Sequence, residues 1–458
     1  MQSPDAAVDD TPVGSGPSRR ALTRLKDAGI AKTAAGVLAR GLGAVGQLLL
    51  AVAVTHSLSK AEAGGVLLYL TVFAVVSAVM TFGSGYYTMR RLSEFDADDR
   101  DAAGPVAASL LRLQVIVSAC GSLIVGGIVM ATLSSFGDRL GLTDRSDARF
   151  FGGCLWAAAT FMTLSLAVAY QCHGRRMLTA SVAFSHILVP LLTAATIGVF
   201  GVGGVREVVM IHLGFAFAVA AAAVTFWRLR IADGNGPAPR GLDRKSALRS
   251  CGSFWLMNVS QLLMNWSPLL IAGVLLPLSD QAELNTAQRT ANAINFLLVI
   301  TSFVVMPKLR FAYARDDMIG FRRTVVSASR ILIAIGIVTT VGIVLFAGRL
   351  MSFFGDQYAT AGGLLIVFAL GQCFNVVTGT VNQVLTMADR ESTLKNICLL
   401  SAATAIVAGF GLTLRFGAVG AAAAAAMALA IQNVIAVVIV RRQFGFWVFD
   451  VRGVSETA

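Results

Sequence analysis

The feature that most constrains this chain is a succession of long apolar segments that carry almost no charge. A helix of about 20 apolar residues spans the hydrocarbon core of a bilayer, and twelve segments between residues 30 and 440 reach this length. Only 14% of the residues are charged and the mean hydropathy is +0.73, whereas soluble domains contain about 25% charged residues. The sequence therefore predicts an all-α polytopic membrane protein with about 12 transmembrane helices, and it excludes a soluble fold.

The distribution of lysine and arginine predicts the orientation, because cytoplasmic segments carry these residues in excess. With the N-terminus inside, 25 of the 37 basic residues fall in cytoplasmic segments, 7 fall on the opposite side and 5 lie within spans. We therefore expect both termini to be cytoplasmic. The net charge of +12 then reports orientation in a membrane, and no nucleic-acid partner is expected.

Short motifs recur at a nearly constant offset. Ser134–Asp138 resembles Ser352–Asp356, and Phe200–Gly204 resembles Phe416–Gly420, 218 and 216 residues apart. Six spans return a chain to its starting side, so we expect two pseudo-symmetric six-helix bundles related by an axis along the membrane normal. The expected units are a disordered cytoplasmic tail (1–28), an N-terminal bundle (29–230), a cytoplasmic linker (231–249), a C-terminal bundle (250–444) and a cytoplasmic tail (445–458).

Basic residues inside the predicted spans are the first candidates for a binding site. A charged side chain in the bilayer is costly and usually faces a cavity or a partner. Arg40 lies about ten residues into the first span, and Arg112, Arg289 and Arg330 lie within later spans. For Arg112 and Arg330, near cytoplasmic ends, snorkelling to the membrane surface is an equal alternative. No Asp or Glu lies at the centre of a predicted span, so these arginines indicate an anionic ligand, and guanidinium pairs well with phosphate.

Carboxamide side chains form aligned stripes on three spans of the second half, the seventh, eighth and tenth. Such groups both donate and accept hydrogen bonds, and we interpret the three stripes as the lining of a polar cavity for a ligand with many hydroxyls. Interhelical hydrogen bonding, which averages about 0.6 kcal/mol per bond, is the alternative. The candidate substrate-binding residues are Arg40, Arg112, Arg289, Arg330, Gln47, Asn258, Asn265, Asn292, Asn375 and Asn382.

The sequence contains no signature of a catalytic or cofactor-dependent protein. There is no Walker motif, no C-x-x-C pair and no cluster with metal-ligand spacing, so no cofactor, metal or catalytic residue is expected. The longest predicted outward loop, about Leu133 to Arg149, is too short for a catalytic domain. We therefore do not expect an enzyme.

Several helix-end motifs resemble those of the Wzx-type polysaccharide-biosynthesis (O-antigen) flippases. They are Leu58–Gly64, Phe82–Gly85, Phe354–Ala359 and Phe416–Ala422, followed by Arg441–Gly445 near the end of the resemblance, which covers about 25–445. These proteins belong to the multidrug/oligosaccharidyl-lipid/polysaccharide exporter superfamily. The resemblance implies a MATE-like, V-shaped exporter that moves undecaprenyl-pyrophosphate-linked oligosaccharide to the outer leaflet of a bacterial inner membrane.

The same resemblance implies a cationic central cavity, which by helix falls on Arg40, Arg112, Arg289 and Arg330. It also implies a polysaccharide polymerase and export machinery as partners. Two other functions are compatible with the sequence. A cation-coupled multidrug antiporter of the same fold is disfavoured by the missing membrane carboxylates, and a glycan polymerase or ligase is disfavoured by the short outer loops.

Overall fold

A computed structural model describes residues 41–92, 100–136, 145–175, 177–231, 244–388 and 390–449. These residues form helices joined by short connections, and no β-strand occurs among them. The all-α prediction is confirmed. The predicted N-terminal tail, Arg40, residues 232–243 of the predicted linker and residues 450–458 lie outside the described residues.

The described part of the first half contains eight helices. A capping box, in which Ser59 and Glu62 bond reciprocally, fixes the start of the second of them. They are α1 (Gly41–Ser57), α2 (Lys60–Met80), α3 (Ser84–Leu92), α4 (Arg100–Phe136), α5 (Arg145–Gly174), α6 (Leu178–Val182), α7 (Leu188–Phe200) and α8 (Val205–Arg230). A π-helical turn, Ala183–Ile187, joins α6 to α7, and the helix axis bends by 59° there.

In the second half, the described residues form seven helices and one 3-10 turn. The helices are α9 (Arg244–Leu275), α10 (Leu278–Ala314), α11 (Met318–Leu345), α12 (Ala347–Ser352), α13 (Gly362–Thr378), α14 (Thr380–Met387) and α15 (Glu391–Phe444). The 3-10 turn, Asp356–Ala361, precedes α13. The 54 residues of α15 would extend about 81 Å as a straight helix, far more than the ~30 Å hydrocarbon core. A positive φ of 59° at Gly417 breaks this helix, so two helical stretches meet there.

Among the described residues, seven helices are long and apolar enough to cross a membrane, and the bent pair α6–α7 makes eight. This establishes a multi-pass membrane protein, while the number twelve remains a prediction. The helices also run beyond the apolar segments: α10 covers Leu278–Ala314, although its apolar segment is confined to about residues 284–306. Helical hydrogen bonding thus continues past the apolar residues into the polar ends of the helices.

The internal repeat has a structural counterpart at its Phe-Gly motifs. Gly201, after Phe200, has a φ of 69°, and Gly417, after Phe416, has a φ of 59°. Both glycines therefore adopt the left-handed region, which side chains other than glycine rarely enter. In each half, a glycine with a positive φ follows a phenylalanine at the junction between two consecutive helical stretches.

Apolar cores lie within each half, and another large core joins the halves. One contains residues of α2 to α8, such as Met80 and Met162, and another contains residues of α10 to α15, such as Phe321. The joining core includes Leu50 of α1 and Leu269 of α9. Its position makes α1, α2, α9 and α10 the helices along which the two halves meet.

Candidate functional site

Arg289 lies where the two halves of the molecule meet. On α10, its guanidinium Nη1 donates to Oε1 of Gln47 on α1, at 2.8 Å. Its Nε is buried and has no hydrogen-bond partner. Within the described part of the chain, no carboxylate pairs with Arg289. This guanidinium therefore has an unused donor and an uncompensated positive charge.

Arg289 lies within the apolar segment of α10, about residues 284–306, that the sequence predicts to cross the membrane. Glu283 near the start of this helix pairs with Lys60 of α2. Arg289 follows six residues later, about 9 Å further along the helix at 1.5 Å per residue. A charged side chain in the interior of a bilayer costs at least about 2.5–3.5 kcal/mol. Such a residue is a functional candidate because packing alone does not require it.

The carboxamides of the second half converge on a cavity of about 240 Å³, which we call the amide cavity. Helices α9, α10, α13, α14 and α15 enclose it, together with Gly379 between α13 and α14. Its apolar lining is Met264, Leu298 and Leu429. Its polar lining is Gln261, Asn265, Asn295, Ser302, Asn375, Asn382, Gln383 and Gln432.

Hydrogen bonds between carboxamides fix the walls of this cavity. The Asn375 Nδ2 donates to Oδ1 of Asn295 at 3.4 Å, and Asn433 Nδ2 donates to Oδ1 of Asn375 at 3.0 Å. Gln383 Nε2 donates to the hydroxyl of Ser302 at 2.5 Å. Four helices, α10, α13, α14 and α15, are thereby linked through polar groups, so parts of the stripes on α10 and on α13–α14 do form interhelical hydrogen bonds.

Three of the lining oxygens have no donor. They are Oδ1 of Asn382, Oε1 of Gln383 and Oε1 of Gln432, and all three are buried. Leaving a buried acceptor unsatisfied costs about 1–3 kcal/mol. The amide cavity therefore presents free acceptors from two helices, α14 and α15, and is suited to a ligand that donates hydrogen bonds.

The structure brings the sequence-predicted residues together in two groups. Arg289 and Gln47 form the contact between the halves, while Asn265, Asn375 and Asn382 line the amide cavity. Asn292 accepts a bond from Gln372 of α13 at 2.9 Å and does not line the cavity. Asn258 lies one turn before Gln261 on α9, half-buried and outside the cavity lining.

Arg112 and Arg330 lie away from both groups. Arg112 is exposed on the same face of α4 as Ile116 and Leu123, which are 61% and 70% exposed. Arg330 is exposed on the face of α11 that carries Ile337 and Val341. Apolar residues exposed in this way mark the outer surface of the bundle, and this placement agrees with the snorkelling alternative. Arg40 lies outside the described residues.

Two carboxamides of the last span were missed by the sequence analysis. Gln432 lines the amide cavity, and Asn433 holds Asn375 in position. The available signal was their occurrence as an adjacent polar pair within the long apolar stretch 418–440. Two adjacent polar residues in an otherwise apolar span were therefore enough to indicate that this helix contributes to the site.

An ion pair joins the two halves at the end where α2 and α10 begin, which we call the α2–α10 contact. Lys60 pairs with Glu283, donates to the backbone carbonyl of Gln357 at 3.4 Å and lies 5.7 Å from the ring centroid of Tyr358. Both charged side chains are partly exposed, at 26% and 19%. Gly64 lies one turn further along α2, and a Cβ there would collide with the Leu278 carbonyl. The helices approach closely at this end because Gly64 has no side chain.

Comparison with solved structures identifies the architecture. The chain superposes on an inward-facing multidrug resistance MATE family transporter of the MOP superfamily with a TM-score of 0.67, at 16% identity, over 87% of this chain and 94% of that chain. It superposes on the lipid II flippase MurJ, inward closed, with a TM-score of 0.64, at 13% identity, over 90% and 87% of the two chains. The chain has the fold of these transporters.

An outward-facing MATE family transporter gives a TM-score of 0.59, at 15% identity, over 91% of this chain and 95% of that chain. No family model matches the sequence, and no curated protein matches it. The MATE-like architecture expected from the sequence is therefore confirmed at the level of the fold. The narrower Wzx-type resemblance remains a prediction.

Proposed function

We propose that this protein is an inner-membrane flippase that moves a lipid-linked oligosaccharide, carried on undecaprenyl pyrophosphate, from the cytoplasmic to the periplasmic leaflet by alternating access. The observation that carries the proposal is Arg289, a guanidinium at the junction of the halves with a buried, free Nε and no carboxylate partner among the described residues. Guanidinium binds phosphate oxygens through charge-assisted hydrogen bonds. A pyrophosphate head group would supply the missing anion.

The physical problem solved by such a protein is the passage of polar groups through hydrocarbon. The polyprenyl tail can remain in lipid, whereas pyrophosphate and sugars need a polar surface. Arg289 with Gln47, and the amide cavity nearby, provide that surface within the protein. No cofactor, metal or catalytic step is needed for this process, and we propose that the protein is not an enzyme. Polysaccharide polymerase and export machinery are the proposed partners.

Alternating access also requires contacts that close one end of the pathway and then break. The α2–α10 contact closes the end that the distribution of basic residues places on the periplasmic side. We propose that the described conformation faces the cytoplasm, with both termini on that side.

Reconstitution tests the proposed function directly. Proteoliposomes containing an undecaprenyl-pyrophosphate-linked oligosaccharide are expected to expose the glycan to an external glycosidase or lectin faster than empty liposomes. The competing function, a cation-coupled multidrug antiporter, predicts sodium- or proton-driven dye efflux instead. Dye efflux without glycan movement, using lipid-linked glycans from several bacterial pathways, would reject the flippase proposal.

The ion pair of the α2–α10 contact gives a charge-exchange prediction. Lys60→Glu places two carboxylates together at this contact, so the two helices are expected to separate there. A cysteine introduced at this end should then react faster with a thiol reagent, and the rate of translocation should fall severalfold. The double variant Lys60→Glu/Glu283→Lys restores attraction and is expected to recover most of the wild-type labelling and translocation rates.

The control for this pair is Arg206→Glu, which breaks a peripheral ion pair with Asp147 and leaves the contact between the halves unchanged. We expect near wild-type translocation from this variant. If the double exchange is as defective as Lys60→Glu, the ion pair does not hold this end closed.

A further inference from the structure

The amide cavity has a chemical character different from that of Arg289. No Asp, Glu, Lys or Arg lines it, so the lining offers no counter-ion to a cationic or an anionic ligand. Carboxamides occupy one part of the lining, and Met264, Leu298 and Leu429 occupy another. A sugar ring has a matching division, because its hydroxyls lie around the edge and its C–H groups form apolar faces.

The free acceptors of the cavity require a hydrogen-bond donor. Asn382, Gln383 and Gln432 line it, and Oδ1 of the asparagine and Oε1 of the two glutamines are buried without partners. Their burial makes their desolvation costly unless a donor is supplied. Sugar hydroxyls are neutral donors and can satisfy several carboxamide oxygens at once.

The size of the cavity matches one sugar ring. Its volume of about 240 Å³ lies below the about 300–1,000 Å³ of pockets for drug-sized ligands. The cavity is also partly open, so it accommodates one monosaccharide unit while further units of a glycan would lie outside it.

The position of the cavity relates it to Arg289. Asn295, on its wall, follows Arg289 by six residues on the same helix, a rise of about 9 Å. We infer that the amide cavity is a subsite that binds a single uncharged sugar ring of the glycan while Arg289 binds the pyrophosphate. This inference rests on the proposed function and adds a specificity element to it: the cavity selects a neutral sugar among the first units of the glycan.

The test measures thermal unfolding of the purified full-length protein with free monosaccharides. The probes are the D- and L-enantiomers of glucose, galactose, mannose and rhamnose, because enantiomers have identical general effects on solvent. We expect at least one enantiomer to raise the unfolding midpoint above its mirror image. At ten times its Kd the expected shift is about 1–3 °C.

Two cavity variants and one matched control locate this effect. Gln432→Leu and Gln383→Leu remove free acceptors while keeping similar volume, and both are expected to abolish the enantiomer difference. Gln281→Leu also removes a buried, unpartnered Oε1 from the C-terminal half, but Gln281 does not line the cavity. This control is expected to retain the full difference.

Three outcomes would overturn the subsite. They are equal shifts from both enantiomers of every sugar, a difference that survives in both cavity variants, and stabilisation by sodium or potassium chloride in place of any sugar effect. The assay contains no lipid substrate and no transport step. A negative result therefore rejects the subsite, whereas failure of the reconstituted translocation assay rejects the proposed function.

Discussion

Replacing Arg289 with alanine is expected to reduce translocation of a pyrophosphate-linked oligosaccharide by about 10- to 100-fold. Hydrogen bonds to a charged group contribute about 1.5–3 kcal/mol, and each 1.4 kcal/mol is tenfold in affinity. Arg289 already has a free Nε and no carboxylate partner, so its removal leaves no buried acid uncompensated. We therefore expect expression and unfolding temperature to remain close to those of the wild type. The measurement is glycan exposure in proteoliposomes at equal protein density.

Arg289→Lys and Arg349→Ala are the controls for this prediction. Lysine keeps the charge but loses the planar fork of donors, so intermediate translocation is expected. Arg349 is exposed on α12, and its removal is expected to leave the rate unchanged. Wild-type translocation by Arg289→Ala would show that this guanidinium does not hold the head group.

Gly64→Ala is expected to force the α2–α10 contact apart. A Cβ at this position would overlap the Leu278 carbonyl and approach the Ala282 nitrogen, and backbone atoms cannot move aside as a flexible side chain would. Overpacking of this kind costs about 1–3 kcal/mol, which corresponds to a population change of about 5- to 100-fold. We expect the closed outer end to lose population and translocation to fall accordingly.

Spin labels at His56 and Phe353, both exposed near this end, report the change as a longer and broader distance distribution. Gly65→Ala is the matched control, because a Cβ there would first meet the Leu278 Cδ1 at 3.8 Å, an ordinary contact. Both substitutions raise helix propensity by about 1 kcal/mol, so any difference between them comes from the contact. Identical distance distributions in the two variants would contradict the assigned role of Gly64.

The convergence of polar stripes is the part of the site that sequence reasoning predicted best. Asn265, Asn375 and Asn382 do share one cavity, because carboxamides avoid lipid and helices bury them against one another. The stripe on α10 nevertheless divides. Asn285 accepts from Thr71 on α2 at 2.8 Å, while Asn295 faces the cavity. Residues separated by 3 or 4 positions share a helix face, yet that face can contact two different neighbours.

Arginine positions were harder to assign from the sequence. Arg289 and Arg330 both interrupt apolar stretches, but only Arg289 reaches the junction of the halves. Arg330 is exposed on a face shared with Ile337 and Val341. A long basic side chain can extend to the membrane surface, so its presence in a span does not require a cavity. The neighbouring helices decide between the two cases.

The sequence by itself determined that this protein lies in a lipid bilayer and that its secondary structure is helical. Apolar segments of this length require a bilayer, and a bilayer requires every backbone hydrogen bond to be satisfied within helices or closed barrels. The Phe-Gly repeat at Gly201 and Gly417 was also visible in the sequence, and the glycine has a positive φ in both halves.

Only the tertiary structure decided which helix faces meet. In a membrane, the lipid-facing and the buried surfaces of a helix are both apolar, so hydrophobic periodicity does not distinguish them. The pairs Arg289–Gln47 and Lys60–Glu283 join residues more than 220 positions apart, and no local pattern specifies such partners. Close packing at Gly64 and hydrogen bonding between carboxamides select these contacts, and they become visible only when the helices are assembled.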